Sequence, residues 1–274
     1  SDVGTGKSWS FKDVVELVKS HPDSQLMQYV TKTDGLSTMV MYSMDSFYNS
    51  ETGECKFDSE DFISLLELCN TFPKEYDYNS GESESTASLL RSGKVLLTSV
   101  NMSSFSDMQM FPALYGEPVN FIGFPTNSGS GSVVGFNNRF CVAAKSKNKD
   151  GAWAFIRSFL LPDNQNKLDW NLPVNKAAFE QKIADAMKKQ DDNDSVVSTW
   201  WYDDVEITIG PLTEEDAQVV RDMVYNATTE ATYDEQLMNI ITEEAEYYFN
   251  GEKSAQEIAG IIQSRAQLYI DENR

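Results

Sequence analysis

The strongest constraint on the fold is a succession of helix-forming segments that fills the chain from residue 175 to its C-terminus. "NKAAFEQKIADAMKK", "TEEDAQVVRDMVYNA", "YDEQLMNIITEEAEYYF" and "SAQEIAGIIQSRAQLYI" all read as helices. Gly251 and Ser254 punctuate the last two as a C-terminal stop and an N-cap. One stretch interrupts the series, "DDNDSVVSTWWYDDVEITIGP", an acidic turn with two tryptophans and room for a short strand. Upstream, Phe11, Val14, Val15 and Val18 recur at helical spacing behind Ser10, which forms a capping-box pattern with Asp13. "LSTMVMYSMDSFY" reads as a buried helix, Ser59 caps "EDFISLLELCNTF", and Pro73 stops it. Runs of β-type length occur only in the middle: "KVLLTSV", "VNFIGFP" and "FCVAA", separated by the helical "SSFSDMQMFPALYG" and followed by "NKDGAWAFIRSFLL". This order predicts a helix-rich α/β fold whose strands are joined by crossovers in a small, mostly parallel or mixed sheet.

Charge and residue inventory then remove function classes. Forty-three acidic residues against 22 basic ones give a net charge of −21, a field that repels phosphate backbones and anionic membranes, so no nucleic-acid partner is expected. "GTGKS" near the start fits the end of a phosphate loop, but its first glycine is replaced by Ser1 and the helix starts only at Ser10. No nucleotide is expected there. Cys55, Cys69 and Cys141 are widely spaced and His21 stands alone, which leaves no metal set, no Ser-His-Asp arrangement and no implied cofactor. The acidic pairs Asp203/Asp204, Glu214/Glu215 and Glu243/Glu244 are sequence neighbours, and adjacent residues on a helix do not face one another across a cleft. No catalytic residue is assigned. No apolar run approaches the ~18–20 residues that span a bilayer.

"FCVAAKSKNKDGAWAFIRSFLLPDNQNKL" is similar to a strand, turn and paired-helix pattern of the extracellular solute-binding proteins of carbohydrate ABC transporters, the maltose-binding-protein-like family. "RSGKVLLTSV" resembles that family's Gly-Lys-Val strand, and "VNFIGFPTNSGSG" its strand leading to Pro and a glycine-rich loop. "LPVNKAAF", "YYFNGEKSAQEIAGIIQSR" and "SWSFKDVVELVKSHPD" resemble further landmarks, in the family's order. The resemblance runs from about Trp9 to Arg274. It implies a class II periplasmic-binding-protein-like second lobe made of residues 1–134 and 173–274. Residues 135–172 would be a hinge-crossing strand and helices belonging to an otherwise missing first lobe. Such an excursion is expected to expose an apolar face around Trp153, Phe155, Phe159 and Leu160, or to pack somewhere unusual. The implied function is non-enzymatic capture of a carbohydrate or similar polar solute by hinge closure, with delivery to ABC permease subunits. The implied location is the bacterial cell surface, with a lipidated cysteine upstream as tether. A glycan-active hydrolase and an interaction domain without solute binding are the alternatives. If this is one lobe of two, the chain alone is expected to bind solute weakly or not at all.

Sugar recognition needs flat aromatic surfaces and polar side chains in a concave site. By the resemblance, contacts follow the Gly-Lys-Val strand, where Asn101 keeps a polar position and Phe105 is the nearest aromatic. An N-cap by Asn101 or Ser103, with Phe105 in the core, is the competing reading. Phe136, Asn137, Asn138 and Arg139 offer an aromatic, two amides and a cation at the hinge strand, unless they are a polar turn. Trp200, Trp201 and Tyr202 beside Asp203 and Asp204 form the densest aromatic cluster, a platform or a packing element. Tyr233 lies at the start of the penultimate helix, next to Asp234, a natural N-cap.

Overall fold

A computed structural model describes residues 8–76, 84–126, 131–136, 138–188, 198–202, 205–227 and 229–274, and of Ser198 and Trp200 the backbone alone. The opening segment 1–7, Asn137, Asp203 and Asp204 lie outside the described residues. In chain order the helices are α1 Phe11–Ser20, α2 Lys32–Tyr42, α3 Met44–Phe47, α4 Glu60–Cys69, α5 Thr86–Arg91 and α6 Asp107–Tyr115. They continue with α7 Lys149–Phe159, α8 Pro162–Gln165, α9 Lys176–Ala186, α10 Glu214–Tyr225, α11 Glu235–Phe249 and α12 Ala255–Asn273. The strands are β1 Val133–Val134, β2 Ser198–Tyr202, β3 Val205–Ile209 and β4 Thr229–Glu230.

The helix starts follow from local chemistry. Ser10 accepts from the Asp13 N–H while the Asp13 carboxylate accepts from the Ser10 N–H, so two backbone donors at the start of α1 are satisfied. The same reciprocal pair, Ser254 with Glu257, opens α12. Ser59 and Asp234 cap α4 and α11. Gly251 takes a left-handed φ of 77° after α11, the conformation that lets the chain reverse into α12 at no steric cost.

The chain divides into two compact units. The first comprises Ser1–Thr98, Asn120–Gly135 and Asp222–Arg274, and the second Ser99–Val119 and Phe136–Arg221, so α10 spans the division. In the first unit α1 and α2 pack on α4, α2 on α11, and α12 on both α11 and α4. Their apolar faces meet at Phe11, Phe47, Phe57 and Phe62, all fully buried, with Phe47 and Phe57 edge-on to Phe62 at 5.3 and 5.2 Å. Each such ring contributes about 1.5–3 kcal/mol relative to leaving it in water. Two glutamines on one face of α12 hold a segment of extended chain. Gln263 accepts from Phe57 N–H at 2.7 Å and donates to the Cys55 carbonyl at 2.9 Å. Gln267, one turn on, accepts from Cys55 N–H at 3.0 Å and donates to the Gly53 carbonyl at 2.9 Å. The pair substitutes for a neighbouring strand.

The sheet differs from expectation. Among the described residues there are two separate two-stranded sheets, parallel β1–β4 and antiparallel β2–β3. None of the three apolar runs forms a ladder strand. Lys94 to Leu97 runs beside Gln25 and Leu26 with three backbone hydrogen bonds and a single bridge, Gln25↔Val95. The "VNFIGFP" run is held by a backbone bond from Phe124 to Gly131, and its Gly123 and Pro125 carbonyls accept from the Trp9 indole at 2.7 Å and the Ser43 hydroxyl at 2.8 Å. Phe140 lies exposed in extended chain, with its ring 5.1 Å from that of Phe159. An apolar run becomes a strand only where a neighbour completes its backbone bonds. The fold is helix-rich α/β with small sheets.

In the second unit, Met108 and Leu114 of α6, Ala178, Phe179 and Ile183 of α9, and Ile207 of β3 are buried, and α6 lies against β3. α7 buries no residue. Trp153 is 54% exposed and Phe155 61%, and Phe159 and Leu160 are exposed as well, so all four side chains expected to be bare are so. No helix among the described residues is long and apolar enough to cross a membrane.

Candidate functional site

α6 organises the candidate residues of the second unit. It is capped by neither Asn101 nor Ser103, which corrects that expectation. Ser106 occupies the cap position without a side-chain bond. The buried carboxylate of Asp107 instead accepts from the N–H groups of Ser103 and Ser104, both at 3.0 Å, and ties the preceding loop to the helix. In that loop Asn101 is exposed, while Phe105 is half-buried with its ring 6.1 Å from Phe179, a packing contact.

In the first turn of α6, Gln109 holds the end of the tryptophan hairpin. The Gly210 N–H donates to Gln109 Oε1 at 2.7 Å, and Gln109 Nε2 donates to the carbonyls of Gly210 at 3.1 Å and Pro211 at 3.3 Å. A primary amide matches a peptide group donor for acceptor, so this contact fixes both position and orientation. Sequence reading missed Asp107 and Gln109, since only the separation of 101 residues between Gln109 and Gly210, closed by folding, gives Gln109 its role.

The hairpin places Ser198 opposite Ile209, Trp200 opposite Ile207 and Trp201 opposite Glu206. Trp201 is 66% exposed and Tyr202 is exposed at the strand end. The Trp200 side chain is outside the described residues. Elsewhere in the same unit the Arg139 guanidinium lies 5.9 Å over the exposed Phe136 ring, and Asn138 between them is exposed. The structure therefore brings Phe136 and Arg139 together as a cation–π pair, worth about 0.5–1 kcal/mol at an exposed site. Tyr233, in the first unit, is 61% exposed beside Asp234. Asp234 is committed to its cap, accepting from Leu237 N–H at 2.9 Å and from the Tyr269 hydroxyl at 3.1 Å. Desolvation and this bond push the Tyr269 phenol upward.

Two concavities among the described residues of the first unit bear on solute binding. The larger, about 380 Å³, is walled by Val18, Leu26, Met27, Phe72, Pro73 and Tyr76. Two of its hydroxyls are already used: Ser24 donates to the Gly93 carbonyl and Thr71 to that of Leu68. The other is rimmed by Glu243, Glu244, Glu246 and Glu252, with Arg265 held by Glu243 and Glu244. Neither converges free polar groups on an apolar floor, as polar-solute recognition requires. No group of three or more metal-ligating side chains occurs among the described residues.

No curated protein matches the sequence. Two solved structures share the fold. One, designated an oligosaccharide periplasmic-binding protein from Synechococcus sp. MITs9220, superposes with a TM-score of 0.54 at 12% identity, over 97% of this chain and 67% of that one. The same organism's protein in complex with zinc gives 0.52 at 12% identity, over 97% and 66%. The chain thus spans about two thirds of the length of each neighbour. At sequence level residues 8–194 match the bacterial extracellular solute-binding proteins. With most of its length matched and its fold shared with periplasmic-binding proteins, the chain belongs to the family of bacterial extracellular solute-binding proteins.

Proposed function

We propose that this protein is the substrate-binding component of an ABC importer that captures a carbohydrate or similar polar solute by hinge closure and delivers it to membrane permease subunits. Family membership over residues 8–194 is the observation that carries this reading. The two structural neighbours, both designated oligosaccharide-binding, favour a carbohydrate. A ligand bridging two lobes shifts the population toward a closed form, and that form docks on the permease. The candidate solute contacts in this reading are those chosen by residue type, Asn101, Phe105, Phe136, Asn137, Asn138, Arg139, Trp200, Trp201 and Tyr233. A lipid tether to the cell surface, carried by the precursor, fits the extracellular setting of the family.

Residues 1–134 and 173–274 belong in this reading to one lobe, and 135–172 reach into another. The compact units cut the chain at other points, because they reflect contacts within this chain, whereas the lobe assignment concerns a larger fold. The bare apolar face of α7, with Trp153 and Phe155 more than half exposed, supports it: such a face is stable in water only when something covers it. The test is thermal unfolding across a panel of neutral oligosaccharides. A subset is expected to raise the midpoint in a concentration-dependent way, by mass action on the folded state. A flat response across the panel contradicts the assignment.

A further inference from the structure

We propose that the outward face of the β2–β3 hairpin is a saccharide-stacking platform built on Trp201, with Thr199, Glu206 and Thr208 as its hydroxyl-reading rim. This rests on the solute-binding reading above and adds which face takes the sugar and which class of sugar it takes.

The register defines the face. Thr199 pairs with Thr208 and Trp201 with Glu206, and side chains alternate along a strand, so these four share one side of the ribbon. The burial pattern agrees: Ile207 on the opposite side is fully buried, with Val205 and Ile209 half-buried, whereas Thr199, Trp201, Glu206 and Thr208 are all exposed. An indole left 66% exposed in a regular strand forgoes most of the stabilisation that its burial would give.

The surroundings of the ring select its occupant. Around α7, the rings of Phe140, Phe155 and Phe159 form a contacting cluster, and Trp153 and Leu160 are exposed as well, a surface complementary to an apolar protein surface. The hairpin face carries one flat ring with two hydroxyls and one carboxylate beside it. That set matches a ligand with one apolar C–H face and a hydroxylated edge, as a pyranose has. Among the described residues of its unit, Glu206 takes no part in the ion pairs, which join Arg221 to Glu180 and Glu214 and Lys188 to Asp185. Its carboxylate can only accept, so it reads a sugar hydroxyl as a donor. The Thr199 and Thr208 hydroxyls lie 3.3 Å apart, and either can donate to the other. One therefore keeps its proton for a sugar oxygen.

Charge narrows the class. A carboxylate on the face of a chain with net charge −21 repels uronic acids and sulfated sugars, so the platform takes neutral sugars. Rigidity comes from below, where Gln109 clamps Gly210 at the end of β3 and spares the ligand the cost of ordering the hairpin.

The experiment follows the tryptophan indole N–H signals of the ¹⁵N-labelled chain by NMR during titration. The probes are maltotriose, cellotriose, xylotriose and mannotriose, with trigalacturonate as the anionic comparison. The variants are Trp201→Ala, Trp201→Phe, Glu206→Gln and Phe155→Ala, each checked for unchanged melting and spectral dispersion. The Trp201 signal, identified by its loss in Trp201→Ala, is expected to shift saturably with a neutral trisaccharide. Trp201→Ala weakens that binding about tenfold while Trp201→Phe recovers part of it. Glu206→Gln narrows the preference over trigalacturonate, and Phe155→Ala leaves affinity unchanged. A neutral trisaccharide that binds Trp201→Ala as tightly as the parent overturns the platform and leaves the solute-binding reading standing. No saturable shift with any neutral probe overturns both. If Trp201→Ala instead changes sedimentation without altering saccharide affinity, the face is a protein interface and the proposal fails.

Discussion

Replacing Gln109 by leucine keeps the shape of the side chain and removes its amide, which isolates the clamp between α6 and the tryptophan hairpin. Three hydrogen bonds are lost, at 2.7, 3.1 and 3.3 Å, of which the last shares a donor with the second and counts little. Two effective bonds at about 1 kcal/mol each give about 2 kcal/mol, because Gly210 is half-buried and water restores only part of what the amide supplied. The loss is local. Opening of the hairpin becomes about 2 kcal/mol easier, which is about 30-fold faster amide exchange in β2 and β3. Native-state hydrogen exchange reads this directly, with the α11–α12 amides as an internal reference for global stability. Hairpin protection unchanged in Gln109→Leu, or lost equally in α12, would refute the idea that this amide holds the hairpin.

Three further outcomes follow from the same geometry. Gln263→Leu orphans the Phe57 N–H and the Cys55 carbonyl, so it is expected to lower unfolding stability by about 2 kcal/mol, read from the urea midpoint. The Glu257 carboxyl is held below its ordinary value near 4.5 by the Ser254 hydroxyl and N–H. A depressed pKa stabilises the fold above the ordinary value and ceases to do so as pH falls through the folded one. Glu257→Gln should therefore melt earlier than the parent at neutral pH and converge with it in acid. Burial pushes the Cys55 thiol up to about 11 and raises Cys69 further, whereas Cys141 is exposed, so an aromatic disulfide reagent at neutral pH should titrate Cys141 rapidly and the other two only on unfolding.

What could be read in the sequence was whatever is decided within a few residues. The Ser10–Asp13 box, the Ser59 and Asp234 caps and the left-handed Gly251 all depend on contacts within a turn, and each occurs where the residue types placed it. The family landmarks were legible for the same reason, as short ordered patterns of strand, turn and helix. Strand pairing was not. "KVLLTSV" has the composition of a strand, but whether it forms a ladder depends on what lies beside it, and the stretch alongside, Gln25 and Leu26, is too short for one. The candidate residues were chosen by residue type, while Asp107 and Gln109 were not singled out, being ordinary polar residues until folding sets them against distant or neighbouring backbone. Trp201 was visible as an aromatic in a cluster. Its place on an exposed face shared with Glu206 and two threonines required the register.

The central claim is that this protein holds a saccharide and leaves it intact. A proton NMR time course of an oligosaccharide incubated with the protein tests both halves in one measurement. The account predicts ligand lines that broaden in proportion to protein and anomeric signals that keep their intensities throughout. Lines that stay sharp for every oligosaccharide, or new reducing-end signals growing in with time, would contradict it.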